Sequence, residues 1–108
     1  KATTPIAVTA SVPGIVTLDF AESNAFDVTL SAAITLDYVN PIPGQTVNIL
    51  LIQDGSGGRT VAWAAGKWAW PGGTAPTVSS GINQVDMISA RYRLSNTKMH
   101  GVLLKAFG

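Results

Sequence analysis

The fold is decided by residues 15–39, IVTLDFAESNAFDVTLSAAITLDYV. Apolar and polar side chains alternate in three segments of this stretch: IVTLDF, AFDVTL and AITLDYV. In each segment the apolar residues point one way and Thr or Asp points the other, as in a half-buried β-strand. The links AESN and SA are as short as hairpin turns, so the sequence predicts an antiparallel meander with one apolar and one polar face.

The remainder of the chain extends this strand pattern. After the breaker PIPGQ (41–45), the almost continuously apolar TVNILLIQ predicts a central strand covered on both faces. DGSGG (54–58) predicts a hairpin turn because glycine tolerates positive φ angles, and TVAW predicts a short strand. QVDMISARYRL and MHGVLLKAF predict two more strands around the turn SNTK. No stretch has the 3.6-residue period of a helix, and no tandem repeat is evident.

These patterns together predict an all-β protein, either an antiparallel β-sandwich or a jelly-roll-like barrel. Residues 15–108 form its single sandwich domain. Residues 1–14, KATTPIAVTASVPG, are broken by two prolines, and we expect an extended N-terminal arm there rather than a packed strand. The apolar residues that such an arm offers to a partner are Pro5, Ile6, Val8 and Val12.

The composition indicates contact with other proteins. Of the 108 residues, 46% are hydrophobic and only 12% are charged, about half the usual charged share. One small core does not absorb this much apolar surface, so we expect burial against further copies or a larger assembly. The net charge of +1 without a basic cluster argues against nucleic-acid binding. No apolar run approaches the roughly 20 residues of a membrane helix, so we expect no membrane insertion.

The chemistry-bearing residues do not form a credible catalytic or metal-binding pattern. The chain has no cysteine and one histidine, His100, which excludes the usual zinc sites. Asp19, Asp27 and Asp37 fall on the polar face of the meander and could bind calcium, but solvent exposure of a strand face explains them better. DGSGG lacks the alternating acidic positions of a calcium loop. We expect no enzymatic activity, no metal and no cofactor.

The aromatic residues are the candidate contact surface. Three tryptophans lie within eight residues, and a tyrosine on the following strand adds to them. Exposed tryptophans bind sugars or proteins well, whereas buried ones would close the open end of a sandwich or a subunit interface. The second interpretation is favoured because exposed tryptophan is uncommon without a partner. The residues are Trp63, Trp68, Trp70 and Tyr92.

The same segments resemble a recurrent small β-module of tailed-bacteriophage virion proteins. LDFAESNAFDVTLSAAITLDYVNPIPGQTVNILLIQDGSGGRTVAW, then KWAWPGGTAPT and a VDM strand, carry the resemblance over roughly residues 15–92. QDGSGGRTVAW and WPGGTAPT are its most specific parts. Members often end in a strand with a Trp-Tyr-Gly type signature, where this chain has LSNTKMHGVLLKAFG. The resemblance implies a virion component, made in the host cytoplasm and commonly assembled as a homotrimer.

Two functions fit this resemblance. The first is a capsid decoration (cement) or head-fibre protein, a trimer whose arm lies across the major capsid protein. It is favoured by size, because a complete chain of this length is barely longer than the module. The second is a tail-fibre or receptor-binding module that contacts tail components and recognises host surface polysaccharide through the tryptophan-rich loop. It is favoured if Lys1 is internal to a longer chain rather than the residue after the initiator Met. A polysaccharide depolymerase would need a carboxylate pair that the sequence does not offer.

Overall fold

The computed structural model describes residues 4–107, which contain nine β-strands and one short 3₁₀ turn, Pro71–Gly73, but no α-helix. The prediction of an all-β protein is therefore confirmed for these residues. The strands in chain order are β1 (Ile6–Ala10), β2 (Gly14–Asp19), β3 (Ala25–Leu30), β4 (Ile34–Val39), β5 (Thr46–Gln53), β6 (Val61–Trp63), β7 (Trp68–Ala69), β8 (Val85–Arg93) and β9 (Lys98–Phe107).

The first six strands alternate between two sheets. A six-stranded sheet has the order β1-β3-β5-β8-β9-β7, and a three-stranded sheet has the order β2-β4-β6. Every pairing among these first six strands is parallel. The prediction of an antiparallel meander is therefore wrong, and with it the fully antiparallel sandwich and the jelly roll.

The short links carry the chain across to the other sheet instead of reversing it within one sheet. The backbone groups in and beside the SA link bond to the end of β1 and to the residue before β6. The Ser31 N–H donates to the Ala10 carbonyl, and the Ile34 N–H donates to the Thr60 carbonyl, both at 3.0 Å. A period of two determines which side chains are buried, but it does not determine which strand is the neighbour. Links as short as hairpin turns therefore do not show that the strands they connect are paired with each other.

Each passage of the chain through both sheets forms one coil, and successive coils stack on one another. Ile6 pairs with Phe26 and Gly14 pairs with Ile34, an offset of 20 residues in both sheets. The next coil is longer, because Phe26 pairs with Ile49 and Ile34 with Val61, offsets of 23 and 27 residues. These residues stack as in a β-solenoid although no tandem repeat is evident in the sequence. PIPGQ and DGSGG lengthen the later coils and hide the period in the sequence.

Strand β8 introduces antiparallel pairing into the six-stranded sheet. β8 pairs with β5 on one side and with β9 on the other, and both pairings are antiparallel. The turn between β8 and β9 places Arg93 opposite Lys98, and the Thr97 N–H donates to the Leu94 carbonyl at 3.2 Å. The hairpin predicted around SNTK is therefore confirmed. β7 pairs in parallel with β9, with Trp68 opposite Met99.

Both sheets contribute to one hydrophobic core. Phe20, which follows β2, stacks on Tyr38 of β4 with ring centroids 5.0 Å apart, and its ring lies 5.7 Å from that of Phe26 on β3. These contacts join the two sheets, and the Tyr38 ring also meets that of Tyr92 on β8 at 6.4 Å, so the parallel and antiparallel parts share one core. The core side chains exposed by 2% or less are Leu18, Phe20, Phe26, Val28, Leu30, Leu36, Tyr38, Val47, Ile49, Leu51, Ile88 and Met99.

Strand β5 is central, as predicted, but it is covered on one face only. Val47, Ile49 and Leu51 are buried, whereas Leu50 and Ile52 between them are only partly buried. Coverage on both faces, expected from the apolar run TVNILLIQ, is therefore wrong. The outward apolar residues belong to a surface patch described below.

The segment expected to be an N-terminal arm is largely built into the sheets. Ile6–Ala10 forms β1, which pairs in parallel with β3 and buries Ala10, and β2 already begins at Gly14. For residues 6–10 and for Gly14 the expectation of an unpaired arm is therefore wrong, while residues 11–13 form an exposed link and residues 1–3 lie outside the described residues. Pro5 precedes β1 directly, where its missing N–H removes no hydrogen bond of the sheet.

Candidate interaction surface

The three tryptophans of the candidate contact surface form one packed cluster. Trp63 ends β6 in the three-stranded sheet, Trp68 begins β7 in the six-stranded sheet, and Trp70 precedes the 3₁₀ turn. The ring centroids are 4.7 Å apart for Trp63 and Trp70, 5.5 Å for Trp68 and Trp70, and 5.6 Å for Trp63 and Trp68. Rings at these distances attract each other. The cluster therefore links one strand of each sheet.

Two of these tryptophans are anchored within the chain. The Trp63 Nε1–H donates to the Pro76 carbonyl at 3.0 Å, and the Trp68 Nε1–H donates to the Leu36 carbonyl at 3.2 Å. Trp68 is only 7% exposed. An indole whose N–H is bonded and whose ring is covered offers little to a ligand. Packing within the chain accounts for both positions, whereas the sequence favoured burial at the open end of a sandwich or at a subunit interface.

Trp70 is more accessible. It is partly buried and rests on β9, where a Cβ atom at Gly101 would lie only 3.0 Å from Trp70 Cζ3. Only glycine fits beneath the ring without displacing it. Trp70 also lines a surface depression of about 250 Å³ together with Pro71, His100 and Val102. It is therefore the tryptophan of the cluster best placed to meet a ligand.

Tyr92 does not extend the tryptophan cluster directly, because Tyr38 lies between them. The Tyr38 ring meets Trp68 edge-on at 5.3 Å and Tyr92 edge-on at 6.4 Å. Burial raises the pKa of Tyr38 to about 12, so its hydroxyl stays protonated and donates to the Lys67 carbonyl. Tyr92 itself is partly buried on the core side of β8. The four predicted residues therefore form an aromatic row through the molecule rather than one exposed surface.

Lys67 fastens the loop before β7 to β4. Its Nζ lies 2.9 Å from Asp37 Oδ1, donates to the Tyr38 carbonyl at 2.7 Å and stands 4.5 Å from the centroid of the Tyr38 ring. The hydrogen bond from Lys67 holds the pKa of Asp37 below its usual range. Lys67 thus holds Tyr38, the central ring of the aromatic row, through contacts with β4.

The three aspartates considered as calcium ligands are far from sharing a site. Asp27 lies on β3 of the six-stranded sheet, whereas Asp19 and Asp37 lie on β2 and β4 of the three-stranded sheet. Each projects away from the shared core, so Asp27 faces the opposite side of the molecule. In the described part of the chain, no three His, Asp or Glu side chains are arranged to hold a metal ion. The calcium hypothesis for this trio is therefore wrong.

The DGSGG segment is a self-bonded turn that crosses between the sheets. Asp54 Oδ1 accepts the N–H groups of Ser56 at 3.1 Å and Gly57 at 3.0 Å, while Oδ2 accepts from Arg59 at 3.1 Å. The hydrogen bond from Arg59 holds the pKa of Asp54 below its usual range. Because the segment connects β5 to β6 in the other sheet, the predicted hairpin is wrong. Gly57 has φ 68°, and a Cβ there would lie 2.8 Å from the Ser80 carbonyl oxygen.

The outer face of the six-stranded sheet carries an apolar patch that the sequence analysis missed. Neighbouring strands align its side chains, since Leu50 pairs with Met87 and Met87 pairs with Leu104. Val102 is 41% exposed and Leu104 is 45% exposed. The available signal was the apolar residues at outward positions of TVNILLIQ and HGVLLK. The outer-face patch consists of Leu50, Ile52, Val85, Met87, Val102 and Leu104.

Cationic side chains border this patch at the turn of the β8–β9 hairpin. Arg91 pairs with His100 and Arg93 pairs with Lys98, which places all four side chains on the outer face. Arg91, Arg93 and His100 line a depression of about 500 Å³. Within residues 4–107 the two ion pairs involve other residues, so these cations have no acidic partner there. The sequence showed the scattered arginines, but only the hairpin register brings them together.

Comparisons with known proteins add no relative: the chain matches no family model, and no curated protein or solved structure is significantly similar to it. In residues 4–107, no helix is long and apolar enough to cross a membrane.

Proposed function

We propose that this protein is a structural component of a tailed-bacteriophage virion, a capsid decoration protein that self-associates as a homotrimer through the outer-face patch. It is a sandwich-like module that acts by contact rather than catalysis. The observation that carries the proposal is the patch itself, six apolar side chains on one sheet face, with a bulge in β8 between Val85 and Met87. Contiguous apolar surface of this kind is typical of protein–protein contacts.

The energetics favour burial of this patch. Complete burial of a valine, leucine or methionine side chain contributes about 1.5–3 kcal/mol, and the patch residues are partly covered already. Burying what remains exposed of six such side chains therefore contributes several kcal/mol per subunit, which offsets part of the cost of association. A threefold arrangement would bury the same patch on every subunit.

The cationic border gives this contact a direction. Arg91, Arg93 and Lys98 lie beside the patch and form no ion pair with any residue in 4–107, so an acidic surface of a neighbouring protein complements them. Such complementarity raises association rates and fixes orientation more than it raises affinity. The major capsid protein is the partner that we assign to this border.

The phage assignment is tested by counting copies of the protein in purified virions with quantitative mass spectrometry, using the major capsid protein as the internal standard. Hundreds of copies per particle are expected for a decoration protein. A few tens would instead indicate the tail, and absence from the virion would overturn the proposal.

The patch is tested separately by sedimentation velocity. Leu104→Lys places a charge at the centre of the proposed trimer interface and is expected to convert the trimer to smaller species. Ile42→Lys is the matched control, because Ile42 is 59% exposed and lies outside the patch. An unchanged mass for the Leu104 variant would exclude the patch as the interface.

A tail-fibre module that recognises host polysaccharide is the second candidate, and Trp70 is the observation that favours it. Its partly exposed ring beside the depression with Pro71 and His100 suits stacking against a sugar. A glycan array compares the wild type with Trp70→Ala. Binding that disappears in a variant with unchanged secondary structure supports this function, and an array without any signal counts against it.

A further inference from the structure

The first coil of the chain leaves two sheet edges open at the same end of the molecule. β1 is the edge strand of the six-stranded sheet and pairs only with β3, while β2 is the edge strand of the three-stranded sheet and pairs only with β4. In the described residues, no other strand covers the outward backbone groups of β1 or β2. An open edge of this kind is a template for pairing with another strand.

This end has little of the protection that proteins usually give such edges. β1 contains no charged residue, β2 contains only Asp19 at its last position, and the two prolines lie before and between the strands rather than inside them. Charged residues, bulges or a covering loop are the usual protection of an edge strand. The far edge of the six-stranded sheet differs, because β7 covers the start of β9 and Lys105 lies on its remainder.

Apolar side chains are also exposed around the open end. Val12 lies in the link between β1 and β2, and Ile15 is the second residue of β2. Each of these side chains is 71% exposed. Ile6, Val8 and Val16 pack against the core but stay only partly buried, although they occupy the inward positions of their strands. The last layer of the core is therefore incomplete. Stacked β-coils require a terminal cap with a polar outer face, and no element among residues 4–107 caps this end.

We propose that a second copy of the chain covers this end, so that two molecules stack end to end about a twofold axis and continue both sheets. β1 then pairs with β1 of the partner and β2 with β2 of the partner, both antiparallel, because a twofold axis reverses strand direction. The contact uses a surface distinct from the outer-face patch, which lies on β5, β8 and β9. It is independent of the virion assignment.

The geometry selects a second copy over other occupants. The two edges belong to sheets on opposite sides of the core, about 10 Å apart, so a single extended peptide fills one edge and leaves the other open. The same end of another copy presents two edges with the same spacing. Because β1 is uncharged and Asp19 is the last residue of β2, antiparallel pairing centred in these strands places no like charges opposite each other. An isologous contact also closes on itself and forms a discrete dimer.

The first experiment compares the masses of charge variants by sedimentation velocity. Val12→Lys/Ile15→Lys adds two charges at the open end of each molecule and is expected to halve the mass of the assembly. Both side chains are 71% exposed, so the monomer fold keeps its stability. Ile82→Lys is the control, because Ile82 is 63% exposed on a distant turn and its variant should keep the wild-type mass. An unchanged mass of the double variant, or a monomeric wild type, overturns the proposal.

The second experiment uses the absence of native cysteine. Ala7→Cys/Thr9→Cys places two thiols on the exposed face of β1. Antiparallel pairing of β1 centred on residue 7, 8 or 9 brings a thiol of one copy opposite a thiol of the other. Mild oxidation is expected to convert most of the chain to a covalent dimer on a non-reducing gel. A Ser56→Cys/Ser95→Cys control should stay largely monomeric, and equal dimer fractions in the two variants overturn the proposal.

The virion assignment and this contact fail independently. A protein absent from virions that still dimerises through β1 and β2 refutes the proposed function alone. Leu104→Lys disturbs the outer-face patch and is expected to leave the cysteine cross-link intact. Loss of that cross-link in the Leu104→Lys background would show that the open end is not an independent interface.

Discussion

The stacked parallel coils of residues 6–63 and the antiparallel β8–β9 hairpin are built from the same two-residue pattern, yet they have opposite strand arrangements. In the hairpin, the Thr97 N–H bonds back to Leu94, and the turn reverses the chain within one sheet. In the coils, the Ser31 N–H bonds to Ala10 of the preceding coil, and the link crosses to the other sheet. The comparison shows that strand direction depends on where the backbone groups of the links find their partners.

Truncation of a core side chain in either region should cause the largest loss in the free energy of unfolding. The loss should apply to the unfolding of both regions together. Leu36→Ala in the coils and Ile88→Ala in the hairpin each remove a side chain that is 0% exposed. Each is expected to lower the free energy of unfolding by about 2–5 kcal/mol, since the residual cavity adds to the lost burial. Chemical denaturation followed by tryptophan fluorescence and by circular dichroism measures this.

Both probes should report one coincident transition for each of these variants, because the two regions share a core. Two separated transitions would show that the coils and the hairpin are independent units. A loss below about 1 kcal/mol at either site would contradict the packing described for it.

Removal of residues 1–12 should have the next largest effect, because it deletes β1 and uncovers β3. Buried Ala10 and the partly buried Ile6 and Val8 are lost, and Phe26 on β3 loses its cover. We expect a loss of about 3 kcal/mol in the free energy of unfolding from the apolar area exposed. A deletion of residues 1–5 is the control, since it leaves β1 whole. If both deletions unfold at the wild-type denaturant concentration, β1 contributes no stability.

Gly101→Ala should have an intermediate effect that reports on the contact between the hairpin and the tryptophan cluster. The new Cβ would lie 3.0 Å from Trp70 Cζ3 and would displace the ring, at an expected cost of about 1–3 kcal/mol. Gly55→Ala is the matched control, because no atom lies within 4 Å of the added methyl group. Thermal unfolding and the tryptophan emission maximum provide the readout. Equal melting temperatures of the two variants would mean that Trp70 moves freely.

The Lys67–Asp37 ion pair should have the smallest effect, and its effect should depend on pH. Because the pKa of Asp37 is lowered on folding, the pair stabilises the protein above the usual aspartate pKa of 3.8 and loses its contribution as pH falls through the lowered value. Both side chains are about one-third exposed, so we expect ~0.5 kcal/mol at neutral pH.

The readout for this pair is the difference in unfolding free energy between the wild type and Asp37→Asn, measured at pH 7 and at pH 3. The difference should shrink at the lower pH. A difference that grows on acidification would show that the carboxylate is not held in its charged form by Lys67.

Much of the strand content could be predicted from the sequence because it depends on local patterns. Alternation in AFDVTL and AITLDYV marked β3 and β4, and the SNTK turn marked the hairpin. The site was recovered in part: the three tryptophans do meet, but Tyr92 lies behind Tyr38. Trp68 is buried because β7 pairs with β9, a contact between residues 31 positions apart that no local pattern reveals.

The sequence by itself determined that the chain is all-β, that Leu18, Phe26 and Leu36 point inward, and that glycine and proline interrupt the strands. These properties follow from side-chain periodicity and from the conformational limits of single residues. Only the tertiary structure decided which strands are neighbours, that the first coils are parallel, and that residues 6–10 belong to a sheet. The backbone groups that select a neighbouring strand are the same in every residue except proline, so the choice depends on the packing of the whole molecule.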